Sequence, residues 1–138
     1  MRLGLQTFCA HRGKKPDNVD RIVRFAENAR DAGCDLIAFP EFSVNGPWVT
    51  YDPDARLADL LTDAEPIPGP TTEHLQQEAE RLNIAFGVGI AERGLAQKPF
   101  NAYVIIDNTG TLEQLRANAT RIWKERIHLK GDRKHGGN

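Results

Sequence analysis

The hydrophobic pattern of the chain centres on residues 36–39, a short apolar run that turn residues bound on both sides. A continuous apolar run of this length is typical of a strand buried on both faces of an α/β sheet. Pro40 ends the run, and Glu41 follows directly. Because the loops diverge at the carboxyl end of such a strand and leave a crevice for ligands, Glu41 is the first candidate for chemistry. The alternative is an ordinary exposed loop glutamate.

Hydrophobic periodicity along the rest of the chain predicts an α/β fold built on a mixed sheet. The apolar stripes and the turn residues predict strands near residues 2–10, 34–40, 84–90 and 100–107, full helices near 17–32 and 71–82, and a short helix near 54–61. Since strand–helix–strand units cross over in one sense, the first two strands should be parallel and the helices should pack together on one face. Apolar residues on both faces of the first strand predict that it is internal.

The ends of the two full helices carry recognisable capping residues. Asp17 or Asn18 can N-cap the first helix, and Thr71 or Thr72 can N-cap the second. Gly33 is suited to close the first helix at the C′ position, because glycine adopts the left-handed conformation without a steric penalty.

Two glycines and a carboxylate mark the third predicted strand. Gly87 and Gly89 thin one side of it, which indicates that another element packs closely there. Glu92 comes at its end and would lie near Glu41 if the two strands were adjacent, although an ordinary exposed residue is the alternative.

The segment 42–53 is long and irregular, and segments of this kind inside a domain are usually functional or disordered. It carries Trp48 and Tyr51. Either it forms a lid or pocket wall over Glu41, or the two aromatic rings simply cover the edge of the sheet.

A helix ending in Gly33, followed by Asp-Leu-Ile-Ala-Phe-Pro-Glu at residues 35–41 and by Asn-Gly at 45–46, forms a specific motif. It resembles the first active-site segment of the carbon–nitrogen hydrolase family, the nitrilases and amidases. Gln6 in the first strand and Asn18 near the start of the first helix fit the same family pattern.

The resemblance implies both a fold and a role for Glu41. The fold would be the N-terminal half of a nitrilase-like α-β-β-α sandwich, with helices packed on one face of a mixed sheet. It would form one domain over residues 1–138, and the resemblance weakens after about residue 112. In the family the matching glutamate is the general base of a Glu-Lys-Cys triad, so the resemblance assigns that role to Glu41.

The family's lysine lies on a strand that reads aromatic-Arg-Lys-x-His-Leu, and the corresponding residues here are 123–129, Trp-Lys-Glu-Arg-Ile-His-Leu. Aligning on His-Leu places Arg126 at the position of the lysine that stabilises the oxyanion. Lys124 is two residues earlier and therefore on the same face of a strand. The resemblance leaves Arg126 and Lys124 as alternative cations, and a guanidinium differs from an ammonium in size and in hydrogen-bonding geometry. Because a base and a cation that serve one reaction centre must both lie close to it, we expect Glu41 to be partly buried beside the 121–130 segment.

The chain has two cysteines, Cys9 and Cys34. Both fall in predicted strands among apolar neighbours, which favours reduced, buried thiols over a disulfide scaffold. Neither matches the family's nucleophile motif, so we expect that the nucleophile is missing from this chain and that the chain is truncated. Without a thiolate, no thioester intermediate can form.

Two functions follow from these observations. The first is a hydrolase of non-peptide carbon–nitrogen bonds in amides, nitriles or carbamoyl compounds, in which the isolated chain is inactive. The second is a non-catalytic fragment or pseudoenzyme that acts by binding or assembly. The expected partners are a small amide or nitrile, if a C-terminal half completes the site, and further copies of the chain, because half a sandwich exposes an apolar sheet face.

Composition and charge narrow the class of protein. The chain has 138 residues and is 40% hydrophobic, and its mean hydropathy of -0.50 predicts a soluble, cytoplasmic domain without a membrane span. From residue 114 onward, seven basic residues face two acidic ones. No nucleic-acid reader motif accompanies this basic segment, so a solvated terminus is favoured over a nucleic-acid contact. The resemblance implies no cofactor, and no cysteine has a partner at zinc-ligand spacing.

Overall fold

The computed structural model describes residues 1–47, 53–94 and 99–107. Their elements, in chain order, are β1 (Leu3–Leu5), α1 (Lys15–Asp31), β2 (Leu36–Ala38), α2 (Pro53–Asp63), α3 (Pro70–Leu82), β3 (Ala85–Arg93) and β4 (Pro99–Ile106). The strands form one sheet in the order β1-β2-β3-β4. β1, β2 and β3 are parallel, and β4 is antiparallel to β3. The predicted mixed α/β sheet is confirmed, and β2 is internal.

The helix α1 shows how the sequence builds one layer of this fold. Val19, Ile22 and Ala26 form its buried stripe. At its end the amide of Gly33 donates to the carbonyl of Arg30, and the next amide donates to the carbonyl of Ala29, which together form a Schellman motif. Gly33 has a φ of +78°, as predicted for a residue at C′.

The predicted N-caps of both full helices are wrong. α1 begins earlier than predicted, so its N-cap is Lys14 and Asn18 lies inside the helix. The N-cap of α3 is Gly69, and the Thr72 hydroxyl accepts a hydrogen bond from the Gly69 amide from within the first turn. In both cases a proline near the first helical position starts the helix, because its fixed φ is already helical.

One face of the sheet is covered by α1 and α3, and the core lies between them and the strands. The prediction that these helices share a face is confirmed. The largest fully buried apolar side chains of this core are Ile22, Val44, Leu75, Leu82, Ile84, Phe86, Val88, Ile90 and Ile106. In β3 the residues that alternate with Phe86, Val88 and Ile90 are small, so the two faces of this strand differ sharply in bulk.

The opposite face of the described sheet is apolar and open. Leu5 on β1 is 76% exposed, and Tyr103 and Ile105 on β4 are 51% and 56% exposed. We call these three residues and Leu3, which is also exposed, the open face. The prediction that β1 is internal is wrong for the described residues, because β1 pairs there with β2 alone and forms an edge. Apolar residues on both faces of β1 therefore did not indicate an internal strand.

Both cysteines are free, but they are not buried as predicted. Cys9 is exposed and Cys34 is half-buried. The prediction failed because β1 ends at Leu5 and β2 begins at Leu36, so both thiols lie outside the strands whose alternation would have buried them.

Some predictions fall outside the described residues. They concern Trp48, Tyr51 and the segment that carries Lys124 and Arg126. Among the residues that are described, no helix combines the length and the apolar character needed to cross a membrane.

Candidate active site

Glu41 lies just beyond the carboxyl end of β2, in a tight turn that spans residues 40–46. The chain enters the turn still paired with β3, because the Phe39 amide donates to the Gly87 carbonyl at 2.8 Å. The Gly46 amide then donates to the Phe42 carbonyl at 2.8 Å and closes the turn. Phe42 has a φ of +51°, a left-handed conformation that is uncommon for a side chain of its size. Such backbone persists where the surrounding structure holds it in place.

Side chains of the turn attach it to β3. The Ser43 hydroxyl accepts a hydrogen bond from the Gly89 amide at 3.0 Å. The Asn45 side-chain oxygen accepts one from the Ala91 amide at 2.8 Å. Between them, the Val44 amide donates to the Gly89 carbonyl at 3.0 Å. These bonds occupy main-chain groups of β3 that a further strand would otherwise use, so the turn replaces a neighbouring strand at this end of β3.

Gly89 allows this contact at close range. A Cβ atom at Gly89 would lie 2.5 Å from the Phe42 nitrogen and 2.8 Å from the Glu41 Cα. The glycine therefore brings the main chain of the turn directly onto β3. The prediction that a small residue in this strand admits a closely packed element is confirmed at Gly89.

The turn is held from its other side by α1 and the loop before it. Asn18 is fully buried. Its side-chain nitrogen donates to the carbonyls of His11 at 2.7 Å and Val44 at 3.0 Å, and its side-chain oxygen accepts from the His11 amide at 2.8 Å. The loop also approaches Gly46, where a Cβ would lie 2.5 Å from the Arg12 nitrogen. The turn is thus enclosed between β3 and the start of α1.

A small charged network supports Asn45. Its side-chain nitrogen donates to the Asp63 carboxylate at 2.7 Å. The Lys15 ammonium lies 3.7 Å from the same carboxylate and 3.6 Å from that of Glu65, and Glu65 also accepts from the Thr71 amide at 3.1 Å. These charged side chains are mostly buried, and opposite charges lie together because burying an unpaired charge is costly. The network joins the turn to the ends of α1, α2 and α3.

The Glu41 carboxylate itself is exposed and accepts a hydrogen bond from the Asn101 side-chain nitrogen on β4. The prediction that Glu41 is partly buried is wrong. Its predicted proximity to Lys124 and Arg126 lies outside the described residues. The alternation of β3 puts Glu92 on the same face as Ile90, whereas Asn101, which binds Glu41, lies on the other face.

Tyr103 lies on the same face of β4, two residues after Asn101. Its hydroxyl donates to the Phe39 carbonyl at 3.0 Å, and its ring crosses over Gly87, where a Cβ would lie 2.8 Å from the hydroxyl oxygen. Partial burial raises the pKa of the Tyr103 phenol above its ordinary value, so the hydroxyl remains a donor over a wider pH range.

The sequence profile of the carbon-nitrogen hydrolase family matches residues 6–133, which include every part of this site. The chain belongs to the carbon-nitrogen hydrolase family. The profile also spans residues that lie outside the described structure, including Lys124 and Arg126.

Two curated relatives agree with the family. The chain is 31% identical over 99 residues to the omega-amidase NIT2-A of Xenopus laevis, and the alignment covers 71% of this chain and 33% of that protein. It is 29% identical over 117 residues to a nitrilase of Paraburkholderia phymatum, and this alignment covers 79% of this chain and 34% of that protein. The chain therefore spans about a third of the length of the curated relatives it matches.

Solved structures show the same fold. An amidase from Nesterenkonia sp. superposes with a TM-score of 0.59 at 19% identity, over 78% of this chain and 38% of that one. An N-terminal amidase gives 0.61 at 18% identity, over 77% and 25%. The Caenorhabditis elegans NitFhit protein gives 0.60 at 15% identity, over 79% and 25%. At these identities the likeness concerns the fold alone.

Sequence reasoning identified Glu41 as a candidate but missed its polar neighbours. Asn101 and Tyr103 occupy alternate positions of a strand that reads as ordinary apolar sequence. Only the alternation within β4 could have suggested that the two side chains share a face, and nothing local indicates that they reach the 39–41 segment. Within the parts of the chain that the structure describes, no group of His, Cys, Asp and Glu side chains is arranged to hold a metal ion.

Proposed function

We propose that this chain carries the base-bearing part of a hydrolase that acts on non-peptide carbon–nitrogen bonds in amides, nitriles or carbamoyl compounds. One observation carries the proposal. In a member of the carbon-nitrogen hydrolase family, Glu41 lies at the carboxyl end of an internal parallel strand, on a turn attached to β3 and α1. A carboxylate held there by its main chain, with its side chain open to a substrate, suits a general base.

In this proposal Glu41 accepts the proton of the attacking nucleophile. Arg126 or Lys124 supplies the positive charge that stabilises the anion formed by the attack, which develops on oxygen for a carbonyl substrate and on nitrogen for a nitrile. Of the two, Lys124 keeps the ammonium that the family uses, whereas Arg126 keeps the position relative to His128. Replacing Lys124 by methionine and, separately, Arg126 by leucine in the active chimaera described below would assign the role, because only loss of the functional cation removes the positive charge beside the developing anion and lowers the rate of hydrolysis.

We propose that neither cysteine of this sequence is the nucleophile. Cys34 precedes β2 and Glu41 follows it, so at about 3.3 Å per strand residue the two are separated by roughly 15–20 Å. Cys9 follows β1, and its thiol donates to the Ala10 carbonyl beside it at 4.0 Å. The thiolate would come from a segment that this sequence does not include, and the isolated chain would have no turnover.

Ammonia release from a panel of simple amides and nitriles tests this proposal. We expect none from the 138-residue chain, since members of a nucleophile–base unit act together and loss of one removes most of the rate. Turnover that disappears in Cys9→Ala or Cys34→Ala would contradict the proposal, because the nucleophile would then be present.

A chimaera gives the positive arm of the test. Fusing this chain to the remaining part of the Xenopus omega-amidase would supply the missing segment, and we expect amide hydrolysis that falls about 10²–10⁴-fold in Glu41→Gln. Asp20→Asn removes a carboxylate from the exposed side of α1 and serves as the matched control, with no loss expected. An active chimaera that tolerates Glu41→Gln would show that Glu41 is not the base.

A second candidate function is assembly without catalysis, and the open face favours it. Leu3, Leu5, Tyr103 and Ile105 leave one side of the described sheet apolar and accessible. We propose that this chain associates with further copies of itself through this face, since a continuous apolar surface of this kind is rare on monomers. The chimaera separates the two functions, because a purely assembling chain would give no hydrolysis there.

A further inference from the structure

Two polar side chains of β4 reach the segment that carries Glu41. Asn101 donates to the Glu41 carboxylate, and the Tyr103 hydroxyl donates to the Phe39 carbonyl at 3.0 Å. The two residues face the same side of the sheet because they are two apart in one strand. One strand thus holds both ends of the three-residue segment 39–41.

The neighbouring strand is built to let these side chains pass. Asn101 pairs with Ala91, and Tyr103 pairs with Gly89. Gly87, two residues before Gly89, leaves the space that the Tyr103 hydroxyl occupies. On this side β3 offers only small side chains between β4 and the turn, so the reach from β4 to the 39–41 segment is unobstructed.

We propose that Asn101 is a positioning residue for the Glu41 carboxylate and that Tyr103 fixes the main chain beneath it. This inference rests on the proposed function, in which Glu41 is the base. Packing cannot orient this carboxylate, because Glu41 is exposed. A specific hydrogen bond must restrict its rotamers instead, and Asn101 provides one at Oε1.

The chemistry of an amide donor suits this task. A carboxylate has about four lone-pair sites, so a donor bound to Oε1 leaves Oε2 available to accept a proton. Asn101 is neutral, so it orients Glu41 without forming the strong ion pair that a lysine or arginine would form. Orientation and proton acceptance are thereby assigned to different oxygens of one carboxylate.

Side-chain amide signals in the proton–nitrogen NMR spectrum of the 138-residue chain test this contact directly. A donor to a carboxylate resonates downfield of a donor to water, so Glu41→Gln should move one Asn101 amide proton upfield. Asp20→Asn removes an exposed carboxylate from α1 and should leave that signal in place. An Asn101 signal that does not move in Glu41→Gln, or that moves equally in Asp20→Asn, would overturn the inference.

The reciprocal experiment measures the orientation itself. Asn101→Leu keeps the volume and removes the donor, so the three-bond couplings of the Glu41 side chain should shift toward rotamer-averaged values. Asn28→Leu makes the same change on the exposed side of α1 and should leave those couplings unchanged. Couplings that are already averaged in the parent chain, or that survive Asn101→Leu, would show that Asn101 does not orient Glu41.

Both readouts are independent of turnover. If the hydrogen bond is present but the omega-amidase chimaera tolerates Glu41→Gln, the proposed function fails and the contact stands. If the chimaera requires Glu41 but neither NMR change occurs, the positioning inference fails and the proposed function stands.

Discussion

Asn18 joins the helix α1 to the turn that carries Glu41 through a buried side chain. It is fully buried inside α1 and binds three main-chain groups, two on His11 and one on Val44. Its amide offers a donor and an acceptor on one side chain, which is what a loop passing over a helix start requires. Through these bonds a helix residue determines where the Glu41 turn lies.

We expect Asn18→Ala to destabilise the chain by about 2–4 kcal/mol, because it leaves buried main-chain groups without partners. Asn28→Ala is the matched control, since it replaces an exposed asparagine of the same helix by a better helix former and should change stability by only a few tenths of a kcal/mol. Urea unfolding measures both. Equal midpoints for the two variants would show that the Asn18 bonds contribute nothing net.

Single residues also show where sequence reasoning stops. Glu41 could be found because a proline and a buried strand precede it directly in the chain. Asn101 could not, because its partner is Glu41, sixty positions away, and no local pattern records that distance. The N-cap predictions at Asn18 and Thr72 failed because each side chain makes a different contact from inside its helix. Asn18 donates to the Val44 carbonyl, and the Thr72 hydroxyl accepts from the Gly69 amide.

At the scale of elements, the relation of β3 to the turn is the feature that places the site. β3 bonds to β2 and β4 along its length, and beyond the end of β2 it bonds to the turn instead. The parallel pairing of β1 and β2 and the packing of both full helices on one face were predicted, because local periodicity and crossover sense determine them. The sequence indicated only that a glycine of β3 leaves space for another element, and not that this element is the turn that carries Glu41.

Two glycines of β3 allow a matched test of this contact. A Cβ at Gly89 would meet main-chain atoms of the turn, 2.5 Å away at the Phe42 nitrogen, whereas at Gly87 it would meet only side chains, 2.8 Å away at the Tyr103 hydroxyl. Since side chains can rotate aside, we expect Gly89→Ala to cost about 1–3 kcal/mol and Gly87→Ala clearly less. Urea unfolding at neutral pH gives both values. A larger loss for Gly87→Ala would contradict this account of the turn.

At the scale of the whole molecule, the main feature is that one face of the described sheet is covered by helices and the other is exposed. One face is sealed by α1 and α3, and the ion pair between Arg81 and Glu27 links these helices at 2.8 Å on the surface. The other side of the sheet carries the open face, which consists of Leu3, Leu5, Tyr103 and Ile105. The family resemblance implied an exposed apolar sheet face, because the chain would form only half of a sandwich, but nothing in the sequence predicted that β1 would form the edge of the described sheet.

We expect the isolated chain to self-associate through the open face, and Ile105→Lys to reduce that association by placing a charge on it. Leu57→Lys is the control, because Leu57 on α2 is exposed to a similar extent, 45% against 56%, but lies off the sheet. Light scattering at several protein concentrations reports the mass of each variant. A monomeric parent chain, or equal effects of the two substitutions, would exclude the open face as the interface.

The direct main-chain contact at Gly89 bears on whether this site can be moved to another protein. The turn meets β3 without an intervening side chain, and it depends on an asparagine from α1 for its other boundary. A designer who transplants residues 40–46 into a different scaffold therefore has to transplant a glycine from one strand and an asparagine from one helix as well. The turn can therefore be moved only together with positions from two other stretches of the chain.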